Sequence, residues 1–266
     1  MNYTFLNKFL AKKITKFFPK TLNRKLLRKY KIFFVPVNFL KLPKNFYPVD
    51  TNLKLQLKYI NQFQKEKKLI NNTTKKNLDK FLYKIYKKNS FSFLDVGGDK
   101  IDLFLFLSHK LKVKKYFVLN FSEIISLFKF IKLKFNYNRF YPITKINSLK
   151  KIDFVYFGSS IQYFKNYKVF LKNIFKKKPK FILFSGTSFF YDNSLKRDTI
   201  VVKQTNILPN TVYLFFFNLD NFKIFFKKNG YKLIYLSKNN TANISYYNFK
   251  PYLKKIEYLD LLFVKE

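Results

Sequence analysis

The segment Phe91-Ser-Phe-Leu-Asp-Val-Gly-Gly-Asp-Lys-Ile-Asp102 constrains the fold of this chain more than any other. An apolar run ends in an acid, and the acid leads into the single Gly-Gly pair of a protein with five glycines. In so glycine-poor a chain, two adjacent glycines mark a tight turn and not a loose linker. An apolar strand that ends in Asp-x-Gly-Gly and passes into a helical pattern is how an α/β sheet opens a small-molecule site.

The chain beyond the turn keeps the same rhythm. Strand-like runs fall at Ser92–Val96, Tyr116–Asn120, Arg139–Ile143, Asp153–Phe157, Lys180–Ser185, Tyr231–Ser237 and Tyr258–Val264. Helical runs separate most of them, at Ile101–Lys112, Ser122–Lys134, Ile161–Lys177 and Leu219–Asn229. Apolar strands alternating with helices of this length predict βαβ units. The expected fold is therefore α/β: a Rossmann-like, doubly wound, mostly parallel seven-stranded sheet. Two helices precede it, Leu53–Phe63 and Asn77–Lys88, the second with Leu78, Phe81, Leu82 and Ile85 on one face to pack on the sheet. The Asn229-Gly230 pair is a helix stop that leads directly into a strand.

Residues 1–50 read as a separate basic extension, and residues 51–266 as the main domain. The first acid of the chain is Asp50. Over Thr4–Tyr30 apolar residues recur at near-helical spacing between lysines, and Pro19 divides them into two short amphipathic helices. Such a start, residues 1–34, either lies on an anionic membrane surface or packs as a helix pair on the main domain. Ile32–Pro48, with three prolines, reads as an extended connector.

The charge of +40 invites a nucleic-acid reading, but its make-up argues otherwise. Only four of the 54 basic residues are Arg (Arg24, Arg28, Arg139, Arg197), and phosphate readers favour the Arg fork. Lys, Asn, Phe, Ile and Tyr are abundant while Gly, Ala and Trp are scarce, the pattern that AT-rich coding imposes. The lysines are spread along the chain, so specific nucleic-acid binding is not expected. With no cysteine, thiolate metal sites and a Cys nucleophile are excluded, and the lone His109 gives a zinc site or a Ser-His-Asp triad little to work with. No apolar run reaches the length of a membrane-spanning helix. A cytoplasmic protein is expected, with peripheral contact to the inner membrane if the extension lies on lipid.

In a doubly wound sheet, ligands bind beyond the carboxyl ends of the strands, where strand order reverses. Those ends carry Asp95, Gly97, Gly98 and Asp99 after the first strand and Asn120, Ser122 and Glu123 after the second. The fourth leads into Gly158-Ser159-Ser160-Ile161-Gln162-Tyr163, the fifth into Ser185-Gly186-Thr187-Ser188. Four of the five glycines lie on these turns, where backbone must come close either to a ligand or to a neighbouring element.

The order of these pieces resembles the Rossmann-like S-adenosylmethionine-dependent methyltransferases. More narrowly, it resembles a little-characterised bacterial family often associated with surface-polysaccharide gene clusters. The resemblance runs from about Asn77 to the C-terminus. It rests on Leu94-Asp-Val-Gly-Gly98, Phe117-Val-Leu-Asn-Phe-Ser-Glu-Ile124 and Asp153-Phe-Val-Tyr-Phe-Gly-Ser-Ser-Ile-Gln-Tyr163. Phe181-Ile-Leu-Phe-Ser-Gly-Thr-Ser-Phe189, Val201-Val-Lys-Gln-Thr205 and Gly230-Tyr-Lys-Leu-Ile234 continue it.

The resemblance implies that Asp95, Gly97 and Gly98 line the methionine and ribose side of S-adenosyl-L-methionine, with Ser159 beside them. It implies that Asn120 stands where an acid normally accepts hydrogen bonds from the ribose hydroxyls. Ser160, Gln162 and Tyr163 then become the catalytic candidates near the sulfonium and the methyl acceptor, with Thr187 and Gln204 on the rim. The implied acceptor is a small molecule or a glycan-linked group. Methylation of base amino groups is disfavoured, since Gly-Ser-Ser-Ile stands where such enzymes carry Asn/Asp-Pro-Pro-aromatic. The family pattern expects glycine at Asp99 and Ile101, so half of the glycine-rich turn is gone. The alternative is accordingly a non-catalytic, degenerate member of the fold that associates with membrane or polyanions.

Overall fold

A computed structural model describes residues 34–36, 52–66, 76–86, 89–191, 197–204, 212–240 and 255–266. In chain order its elements are β1 (Phe34–Pro36), α1 (Leu53–Glu66), α2 (Lys76–Tyr86), β2 (Phe91–Val96), α3 (Asp102–Lys110), β3 (Val113–Leu119), α4 (Ser122–Lys134) and β4 (Phe140–Ile143). Next come β5 (Phe154–Gly158), a 3-10 turn (Ile161–Tyr163), α5 (Tyr167–Lys176), β6 (Phe181–Tyr191), β7 (Thr199–Gln204), β8 (Val212–Asn218), α6 (Leu219–Lys227), β9 (Tyr231–Lys238) and β10 (Lys255–Lys265). The expected basic helices over Thr4–Tyr30, and most of the expected connector, lie outside the described residues.

The chain divides into two compact units. The larger comprises Val49–Thr187, Phe225–Asn239 and Leu259–Glu266; the smaller comprises Met1–Pro48, Ser188–Ile224 and Asn240–Tyr258.

The larger unit holds a seven-stranded sheet in the order β4-β3-β2-β5-β6-β10-β9. Its first five strands are parallel, β2 pairing with β3 and β5, β3 with β4, and β5 with β6. β10 is antiparallel to β9. It is antiparallel to β6 as well: Lys265 N–H reaches Lys180 C=O at 3.0 Å, and Asp260 meets Ser185 further along. The seven strands match the expected seven runs. Sequence order reverses between β2 and β5, and that is the switch point of a doubly wound sheet.

Aromatic residues fill the core. Phe93 stacks on Tyr116 and Phe154 with centroids 5.2 and 5.6 Å apart. Phe157 stacks on Phe184, and Phe226 on Phe263. On α2 the predicted stripe is the buried one: Leu78 and Leu82 are buried, and Phe81 and Ile85 pack against the core half-buried. At the start of the sheet, the Asp153 carboxylate accepts from both Ser92 N–H (2.8 Å) and Ser92 Oγ (2.7 Å), tying β2 to β5.

Three expectations change. The predicted helix Ile161–Lys177 is a 3-10 turn and then α5, with Phe164–Asn166 between. The strand expected to end at Ser185 runs on to Tyr191, because Gly186 takes φ +67° inside the strand and gives its N–H to a side chain. The sequence reading also had no strands at β1, β7 and β8. In the smaller unit β8 is antiparallel to β7 and β7 to β1, and β8 runs parallel to the last residues of β6.

Candidate active site at the strand switch point

The ends of β2 and β5 meet closely. Gly97 has φ +80°, and a Cβ built on it would stand 2.6 Å from Ser160 Cβ. Ser160 is buried and donates its hydroxyl to Val96 C=O at 2.5 Å, bolting the end of β5 to the end of β2. A Cβ at Gly98 would overlap Asp95 Oδ2. The Asp95 carboxylate therefore lies over Gly98. It is buried, and Tyr116 Oη donates to it at 2.8 Å. Burial first, and then the Asp95 charge, hold the Tyr116 hydroxyl well above the ordinary tyrosine value, so it stays a donor. At Gly158, an added Cβ would meet the Tyr156 ring at 2.9 Å. The glycines of these turns are thus explained by contacts within the protein itself.

The rest of the turn is held by amide side chains. Asn120, just past β3, donates its Nδ2 to Gly98 C=O at 2.8 Å and accepts Phe121 N–H on Oδ1 at 2.8 Å. Gln56 of α1 donates Nε2 to Asp99 C=O at 2.8 Å and accepts Ile101 N–H on Oε1 at 3.0 Å. Sequence reasoning passed over Gln56. Its signal was a polar residue in register with Ile60 and Phe63, both of which are buried on the same helix.

Beyond β5, Ser159 takes φ +55°, a left-handed conformation that costs a non-glycine residue free energy and clusters at functional sites. Its N–H bonds Ser185 C=O at 2.8 Å. Gln162 and Thr187 are buried, yet Gln162 Oε1 and Thr187 Oγ1 have no hydrogen-bond partner among the described residues. Buried polar atoms without partners are uncommon in proteins and call for an explanation. Tyr163 is half-buried, and its N–H closes the turn on Ser160 C=O at 3.1 Å.

Behind Thr187 lies a network that the sequence did not suggest. Asp260 Oδ1, fully buried, accepts from Gly186 N–H (2.8 Å), Ser185 Oγ (3.0 Å) and Asn239 Nδ2 (2.7 Å). It ties the middle of β6 and of β10 to the end of β9.

The structure brings Asp95, Gly97, Gly98, Asn120 and Ser160 together in one constellation, with Ser159 and Gln162 beside Ser160 on the same turn. Gln204, expected on the rim, belongs to the smaller unit, on β7. His109 is exposed and stands edge-on to Phe63 with centroids 5.8 Å apart. Among the described residues there is no cluster of metal-ligating side chains and no helix long and apolar enough to cross a membrane.

No protein-family model and no curated protein matches this sequence. Solved structures do match its fold. The N-terminal domain of EvdMO1 with S-adenosylhomocysteine bound gives a TM-score of 0.51 at 12% identity, over 74% of this chain and 82% of that one. The same domain in the presence of S-adenosylhomocysteine and D-fucose gives 0.52 at 9% identity, over 74% and 84%. The Burkholderia thailandensis 1,6-didemethyltoxoflavin-N1-methyltransferase, with 1,6-didemethyltoxoflavin and S-adenosylhomocysteine bound, gives 0.51 at 10% identity, over 87% and 94%. The chain has the Rossmann-like fold of the class I S-adenosylmethionine-dependent methyltransferases.

Proposed function

We propose that this protein is an S-adenosylmethionine-dependent methyltransferase acting on a small-molecule or glycan-linked acceptor. The observation that carries the reading is the pairing of Gly97 and Ser160 at the switch point, next to the strained Ser159 and the partnerless Gln162 Oε1. Fold alone does not fix function; here the unusual groups gather where the fold binds its ligands. The small-molecule ligand of the toxoflavin methyltransferase and the sugar present with EvdMO1 fit an acceptor of this kind.

S-adenosylmethionine supplies a methyl group on a sulfonium, which leaves as a neutral thioether when an acceptor lone pair takes the methyl. The chain has the residues to hold such a group. The Gly97-Gly98 turn would pass close to the group, and the buried Asp95 carboxylate sets a negative potential suited to a cationic ligand. Asn120 holds the Gly98 carbonyl at the end of that turn. Ser159 would flank the cofactor. Ser160 fixes the separation of the two strand ends. Gln162 Oε1 is an acceptor that orients an N–H or O–H of the methyl acceptor, and Tyr163 and Thr187 border the same side. Methyl transfer depends chiefly on aligning acceptor and methyl.

The reading is tested by thermal unfolding with S-adenosylhomocysteine and, separately, with NAD. A ligand that binds the native state raises Tm by mass action. S-adenosylhomocysteine should raise it and NAD should not. Stabilisation by NAD alone would move the protein to a different Rossmann-like function.

A further inference from the structure

We infer that Gln56 and Asn120 are a pair of amide braces that replace the lost glycines, and that Asn120 positions the turn and does not bind ribose. The inference rests on the cofactor reading above and assigns roles within that site.

An irregular turn leaves backbone groups outside any ladder, and buried ones must find partners. Several of them are paired within the protein. Gly97 N–H goes to Leu119 C=O at 2.8 Å. Gly98 C=O accepts from Asn120, Asp99 C=O from Gln56, and Ile101 N–H donates back to Gln56. Ile101 C=O then accepts Leu105 N–H at 3.1 Å and starts α3. One brace comes from a helix 43 residues upstream of Asp99, the other from the neighbouring strand end.

The orientation of both amides is set by their surroundings. Each faces one carbonyl and one N–H, and only the arrangement described satisfies both. A carboxylate can do neither job. At position 120 it cannot donate to Gly98 C=O and would set an anionic oxygen against a carbonyl oxygen. At position 56 it would do the same to Asp99 C=O. Gln56 is 1% exposed, so water does not substitute for it. Ile101, fully buried with φ −77° and ψ −13°, has ordinary helical backbone and needs no glycine. The turn keeps its shape through side chains where the family pattern uses backbone freedom. Asn120, a departure from the ribose acid, then has a positive reason: it is the residue type that can donate.

The test uses full-length protein with Asn120→Asp, Gln56→Leu and Gln56→Glu, each checked for native circular dichroism. Two quantities are read: S-adenosylhomocysteine affinity by calorimetry, and hydrogen exchange of the 97–105 backbone without ligand. The inference expects Asn120→Asp to weaken binding about tenfold, the loss of one part-buried hydrogen bond, although it restores the family's acid. It expects Gln56→Leu to weaken binding similarly and to speed exchange at Ile101. Gln56→Glu keeps the acceptor for Ile101 N–H, so it should leave that amide protected yet still weaken binding. Equal or tighter binding by Asn120→Asp would make residue 120 a ribose ligand and overturn the inference. Unchanged exchange and affinity in Gln56→Leu would overturn it as well, while leaving the methyltransferase reading intact. If wild type binds no S-adenosylhomocysteine, the methyltransferase reading and the cofactor role of the braces fall together. Exchange at 97–105 then still decides whether the amides hold the turn.

Discussion

A methyl group added at Gly97 would stand 2.6 Å from Ser160 Cβ, at the switch point between β2 and β5. Backbone at φ +80° adds strain for any side chain there. Gly97→Ala should therefore lower stability by about 2–3 kcal/mol. Ser160→Gly in the same chain removes the steric part but not the dihedral part. A double-mutant cycle by urea unfolding should show the pair less destabilised than the sum of its members. Strict additivity would mean that the two strand ends do not press on each other.

Gln162 Oε1 and Thr187 Oγ1 separate stability from function in an unusual way. Neither atom has a partner among the described residues, so replacing it with an apolar group of similar shape relieves a buried unsatisfied group. Thr187→Val and Gln162→Leu should keep or raise Tm. They should also reduce methyl transfer to any acceptor that turns over with wild type. A fall in Tm for both variants would assign them to the core and remove them from the acceptor side.

The Asp95–Tyr116 pair gives a pH signature. Unfolded tyrosine loses its proton near pH ~10, whereas burial and Asp95 hold Tyr116 protonated well above that. A raised folded-state value means stability that is complete below the unfolded value and declines as pH rises beyond it. Tyr116→Phe should cost about 1–2 kcal/mol near neutrality through the lost hydrogen bond. That gap should narrow above pH ~10. Urea unfolding of both proteins between neutral and alkaline pH measures it, and a gap independent of pH would refute the assignment.

Asp260 anchors the far side of the site. Asp260→Ala leaves the Gly186, Ser185 and Asn239 donors buried without their acceptor. A loss of about 3 kcal/mol or more is expected, a large share of a typical domain's stability. Urea unfolding reads this directly, and a change under about 0.5 kcal/mol, ordinary for a surface substitution, would show that the network carries no stability.

Much of this fold was legible because its signals are local. Runs such as Phe154–Phe157 and Ile182–Phe184 are wholly buried, and an apolar run between helical patterns has few other readings. The helix Ser122–Lys134 emerged with its expected bounds. β8 was missed because Val212–Asn218 passes into Leu219 with neither Gly nor Pro between. Asn218 itself starts the helix, its Oδ1 accepting Asp220 and Asn221 N–H at 3.1 Å each. The continuation of β6 past Ser185 was hidden because Gly186 reads as a turn until Asp260, 74 residues away, is seen to hold it. The site divides in the same way. Asp95, Gly97, Gly98 and Ser160 stand on strand ends and could be named from pattern. Gln56 acts across 43–45 residues, and no local pattern connects it to Ile101.

Isothermal titration of the full-length protein with S-adenosylhomocysteine, beside the Gly97→Val variant, tests the central claim most directly. The account predicts saturable binding near one ligand per chain in wild type, with loss in a variant whose far-ultraviolet dichroism shows it folded. Absence of heat up to about millimolar ligand with wild type, or equal binding by Gly97→Val, would contradict it.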